Sequence, residues 1–178
     1  MSKRALATTV LLALSSGIAV AAGTWNRNAG WLQEQVQACQ GQTEEFACRY
    51  FPARAMKQLF GMGEFCSEEH CLLSHEIAAE ISKGGHWAAL GRASDQAILT
   101  QAQEMATGGL LVIAVQAGSD KGLIAIVMPG KLFPSQRWSR TVPLGVGTRV
   151  DRPEDSVYGK GINFLFSEPA KVTLYAYK

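Results

Sequence analysis

The apolar positions of this chain change period once along its length. From about residue 24 to residue 110 they recur every three or four residues, the spacing that gathers side chains on one face of a helix. Asn28 is placed to cap a helix running to about Gln40, with Trp31, Gln35 or Val36, and Cys39 at helical spacing. The segment from Cys48 to Phe60 repeats Phe51, Ala55 and Leu59, accepts Pro52 in a first helical turn, and stops at Gly61. A third helix spans about Leu72 to Ser82, with Leu73, Ile77 and Ile81 on one stripe and Gly84-Gly85 ending it. Ser94 is placed to cap a fourth, with Asp95 in the favourable first turn and Ile98, Ala102 and Met105 inward.

From Gly108 the pattern turns to β. Leu110 to Val115 and Leu123 to Val127 are continuous apolar runs separated by Gly118-Ser119-Asp120-Lys121-Gly122, which predicts a hairpin. Residues 129 to 161 are rich in Gly, Pro and Arg and read as loops with a short strand near Arg137 to Val142. Ile162 to Phe166 and Lys171 to Tyr177 read as closing strands. The last alternates Val172, Leu174 and Ala176 with Thr173, Tyr175 and Tyr177, as a half-buried strand does. Helices first and strands after predict an α+β fold: N-terminal helices packed on a C-terminal antiparallel sheet. No repeat, low-complexity tract or linker divides it.

The N-terminus changes the picture of where this domain works. Lys3 and Arg4 precede an apolar, small-residue stretch from Ala5 to Val20, and Ala19-Val20-Ala21 or Val20-Ala21-Ala22 fits a cleavage site. Residues 1–22 therefore read as a secretory signal peptide and residues 23–178 as a single exported domain, periplasmic or extracellular. Thr8, Thr9, Ser15, Ser16 and Gly17 make the stretch a poor permanent membrane span. The 178 residues carry a formal charge of +2, and loss of Lys3 and Arg4 brings the mature chain to neutrality. Arg137, Arg140, Arg149 and Arg152 lie among turn residues rather than in a basic stripe, which speaks against a nucleic-acid partner.

The four cysteines, Cys39, Cys48, Cys66 and Cys71, all lie in the predicted mature chain. An even count in an exported chain favours disulfides, and four cysteines allow three connectivities. Cys66 and Cys71 with His70 raise the alternative of a metal site, but no Cys-x-x-Cys pair is present and a stapled turn is the simpler reading. We expect no metal and no cofactor. Cys48 has two competing roles. One is half of a Cys39–Cys48 bridge, with Cys66–Cys71 as the second. The other is a nucleophile, because it precedes a predicted helix whose dipole would lower a thiol pKa.

Gly122-Leu123-Ile124-Ala125-Ile126-Val127-Met128-Pro129-Gly130 resembles the histidine-bearing strand of secreted cell-wall cysteine amidases, Gly-His-Val-Ala-Ile-Val-x-Pro-Gly. Cys48-Arg49-Tyr50-Phe51, Phe60-Gly61, Ala78-Ala79-Glu80-Ile81, Trp87, the Ala102–Gly109 helix and Ser135-Gln136-Arg137-Trp138 extend the likeness over roughly residues 44 to 177. The order is similar to that of NlpC-type and CHAP-type amidases of the papain-like superfamily. That resemblance implies a papain-like fold, a peptidoglycan peptide substrate and amide cleavage through a thioester. It puts Cys48 at the nucleophile position, Leu123 at the histidine position and Gln136 at the orienting position. Leucine accepts no proton, so the resemblance implies a scaffold without its general base.

Three readings follow. The first is an exported amidase-fold protein, catalytically impaired, that binds peptidoglycan peptide or a protein partner in the bacterial cell envelope. The second is an active amidase or endopeptidase using Cys48 with another base. The third is a small disulfide-stabilised structural or secretion-associated envelope protein. His70, His75 and His86 fall outside the predicted strand facing Cys48, although His86 stands in a Gly-rich turn beside Trp87. Trp87 and Trp138 are candidates to line a groove, with core packing as their plainer role.

Overall fold

The computed structural model describes residues 14–42, 45–67, 70–118 and 122–178. Most of the predicted leader and the centre of the predicted 118–122 turn lie outside the described residues. Helix α1 (Leu14–Gln40) is followed by α2 (Glu45–Arg49), α3 (Phe51–Phe60) and α4 (Ser74–Ser82). Strand β1 (Trp87–Arg92) and helix α5 (Gln96–Thr107) come next. Then follow β2 (Val112–Gln116), β3 (Leu123–Val127), β4 (Phe133–Ser135), β5 (Arg140–Val142), β6 (Leu144–Gly147), β7 (Val157–Gly161) and β8 (Val172–Tyr177). Six strands form one antiparallel sheet in the order β1-β8-β2-β3-β6-β7, and β4 pairs with β5 in a separate hairpin. The fold is α+β. No described helix is long and apolar enough to cross a membrane.

The central strands β2 and β3 are buried on both faces, which is why they read as unbroken apolar runs. Ile113, Val115, Ile124 and Ile126 face α3 and α4, in a core with Phe51, Met56, Leu59, Ile77 and Ile81. Val112, Ala114, Leu123, Ala125 and Val127 face the other way, in a second core with Leu99, Ala102 and Ala106 of α5. Each fully buried large side chain contributes about 1.5–3 kcal/mol of transfer free energy.

Several boundaries depart from the sequence expectation. Asn28 caps nothing: its amide donates to the Thr24 carbonyl at 2.9 Å inside α1, which begins at Leu14. The single helix expected from Cys48 to Phe60 is two. Pro52 keeps its role in the first turn of α3, but the chain breaks at Tyr50 (φ −106°, ψ 7°), and Cys48 sits in the last turn of α2 instead. Asp95, not Ser94, caps α5, accepting from the Ala97 N–H at 2.8 Å. Residues 87–92, expected to belong to helical territory, form edge strand β1. Residues 157–161 form β7, while Ile162–Phe164 is a 3-10 turn rather than a strand.

Candidate functional site

Cys48 is bonded to Cys39, and Cys66 to Cys71; among the described residues no cysteine is free. The first bridge is nearly inaccessible, in a small cluster with Ala47. It ties α1 to α2 and rests on the end of the sheet. The Ser156 hydroxyl lies 3.2 Å from Cys39 Sγ, and the Cys48 carbonyl accepts from Thr148 Oγ1 at 2.8 Å. Ser156 Oγ also accepts from the Arg149 N–H, while the Gln40 side chain donates to the Ser156 carbonyl. The Arg149 guanidinium grips Asp151 through two contacts, of 3.1 and 2.5 Å, and donates to the Leu165 carbonyl. The hydrogen bonds from Arg149 to Asp151 hold the Asp151 carboxyl below the ordinary carboxylate range. These groups are a structural network. A sulfur in a disulfide is neither a thiolate nor a nucleophile, and its place in the last turn of α2 removes the dipole argument for an acidic thiol.

The other two positions implied by the amidase resemblance do not meet Cys48. Leu123 is buried on the α5 side of β3, whereas Ile124 and Ile126 face α3. Gln136 is exposed in the turn between β4 and β5. Trp138, the neighbouring groove candidate, is a core residue on the α5 side, and its indole N–H is buried without a partner. His70 belongs to the Cys66–Cys71 turn, its backbone N–H donating to Ser67 Oγ. The two sulfurs beside it are consumed by their own bond.

Two cavities instead flank α4, on the face of the sheet that carries Trp87, Tyr175 and Tyr177. One, of about 500 Å³, lies between α4 and the strands β8 and β2. Its polar walls come from His75, Ser82, Arg92, Lys171, Thr173 and Tyr175. The other, of about 400 Å³, lies by the C-terminus of α4 and includes Glu64, Phe65, Glu80, Lys83, His86 and Trp87. The Trp87 indole donates to Glu64 Oε1 at 3.2 Å, and Phe65 and Tyr177 pack on its ring. Of the two tryptophans singled out, Trp87 therefore does line a cavity. Sequence reasoning missed Arg92, because nothing in the local pattern announced β1 as a strand, and missed Lys171, because the start of a predicted strand does not show which cavity it borders. No protein-family model matches this chain, and no curated protein matches it.

Proposed function

We propose that this chain is an exported cell-envelope binding protein, built on the papain-like scaffold of a cysteine amidase and without that enzyme's chemistry. The observation that carries the reading is the Cys39–Cys48 bond, which occupies the sulfur at the nucleophile position. The packing of α3 and α4 on β2 and β3 supports the scaffold half of the proposal. Leu123, at the position that the resemblance gives to the base, has no proton acceptor and faces α5, so β3 turns no base toward the bridge from that position. Losing a general base alone costs about two to four orders of magnitude in rate. The ligand half of the reading, a peptidoglycan peptide, draws its support from the amidase resemblance together with the polar cleft beside α4.

Thiol titration of the unreduced, denatured protein tests the reading. We expect no reactive thiol and no peptidoglycan digestion, with digestion still absent in Cys48→Ala and in Leu123→His. One titratable thiol at Cys48, digestion abolished by Cys48→Ala, or turnover by Leu123→His would overturn it in favour of an active amidase.

A further inference from the structure

The two cavities beside α4 have no lining residue in common, but β1 is a floor element of both, with Trp87 in one and Arg92 in the other, and a β-bulge sets the polarity of that floor. Directly opposed residues of an antiparallel pair point to the same face. On β1 and β8 the pairs are Trp87 with Tyr177, Ala89 with Tyr175, and Arg92 with Thr173. In a regular strand Arg92 would alternate away from Trp87 and Ala89, toward α5. The register shift between Ala89 and Gly91 inserts one residue and reverses that parity. Gly91 permits it: its φ is +145°, and a Cβ there would stand 2.9 Å from the Ile98 side chain. The bulge thus delivers a guanidinium to the ligand face of an edge strand.

Charge is distributed unevenly along this floor. At one end Arg92 and Lys171 join His75, and no described acidic side chain lines that cavity. Lys171 pairs with Glu168 outside it, while no described carboxylate reaches Arg92. At the other end Glu64 and Glu80 stand beside Trp87, with only Glu80 neutralised by Lys83. Thr173 to Tyr177 covers four strand steps, about 13 Å, which is the span of roughly four extended residues.

We propose that this floor is a binding groove for a short extended peptide, its free carboxylate at Arg92 and Lys171 and its amino end toward Glu64. The inference deepens the ligand half of the proposed function and is independent of the state of Cys48, so the thiol titration and the binding test fail separately. The probe is tetra-alanine with free termini, compared with its C-terminal amide and with inorganic phosphate, followed by NMR chemical-shift titration of the unreduced protein. We expect saturable shifts at Thr173, Tyr175 and the Trp87 indole, with amidation weakening binding about tenfold to a hundredfold, the cost of a lost charge-assisted contact. Arg92→Gln should bind the free acid and the amide alike, whereas Arg152→Gln, an exposed control, should keep the preference. Absence of binding, equal affinity of wild type for acid and amide, shifts elsewhere, or phosphate binding as tightly as the peptide each overturns the proposal.

Discussion

Removing the Cys39–Cys48 bridge is the most informative perturbation of this fold. The cysteines are nine residues apart. Closing a ring of about ten residues in the unfolded chain lowers its entropy enough to stabilise the native state by about 2.6 kcal/mol at 25 °C. The native contacts point the same way, because Cys39 is fully buried and its sulfur sits against the Ser156 hydroxyl. In a domain of this size about 2.6 kcal/mol corresponds to a fall in Tm of roughly 5–10 °C. The double variant Cys39→Ala/Cys48→Ala should show that fall in thermal denaturation, and dithiothreitol should lower wild type further than the variant. The variant retains Cys66–Cys71, five residues apart, whose reduction removes a further contribution of about 2 kcal/mol by the same argument. A variant within about 2 °C of wild type would refute the reasoning, since the bond would then constrain nothing that unfolding releases.

Two further outcomes test the packing and the charge network. Gly147→Ala places a methyl 2.7 Å from Leu165 Cδ1 and 2.9 Å from the Ile124 carbonyl, so overpacking should cost about 1–3 kcal/mol in urea denaturation; a change under about 0.5 kcal/mol would mean that β6 does not press on β3 as described. The Asp151 carboxyl is held below 3.8 by its hydrogen bond from Arg149, so its contribution is complete above that pH and is withdrawn as pH falls through the lowered value. Asp151→Asn should therefore show a smaller drop in urea midpoint between about pH 7 and about pH 2.5 than wild type does, and an equal drop would remove Asp151 from the acid limb.

What the sequence reveals follows from how regular each element is. The α3 stripe, the α4 stripe, the β2–β3 hairpin and the alternation of β8 are all legible, because each keeps one period over its whole length. The hairpin register bears this out, with Ile113 opposite Ile126 and Val115 opposite Ile124. Strand β1 is hidden because its bulge breaks the two-residue period within six residues. Strands β6 and β7 are hidden because their glycines read as loop. At Gly145, Gly147 and Gly161 the missing side chain is in fact a packing requirement: a Cβ would meet Ile162, Leu165 and Asn163 respectively, each closer than 3 Å. The observed cysteine pairing is one of the three connectivities that the sequence leaves open. The surroundings of the cysteines were not legible, because Ser156 lies 117 residues from Cys39 and Thr148 lies 100 residues from Cys48.

Strand parity is the physical quantity on which both sites turn. A motif match along β3 assigns a residue to the histidine position by counting in sequence, but a strand alternates faces at every step. Leu123 shares its face with Ala125 and Val127, against α5, so an imidazole placed there would be buried in the wrong core even with Cys48 reduced. Building a catalytic pair from these positions would demand a change of register in β3 as well as a change of residue. Position 123 is therefore an apolar packing position, and a histidine there would disturb the α5-side core. On β1 the opposite holds, since one inserted residue turns an arginine from the α5 side toward the cleft. The bulge costs ladder regularity and an edge strand's hydrogen bonding, and it requires glycine at position 91. A device with that cost, on the one strand that borders both cavities, makes the β1–β8 face rather than the cysteine pair the place where ligand chemistry should be sought.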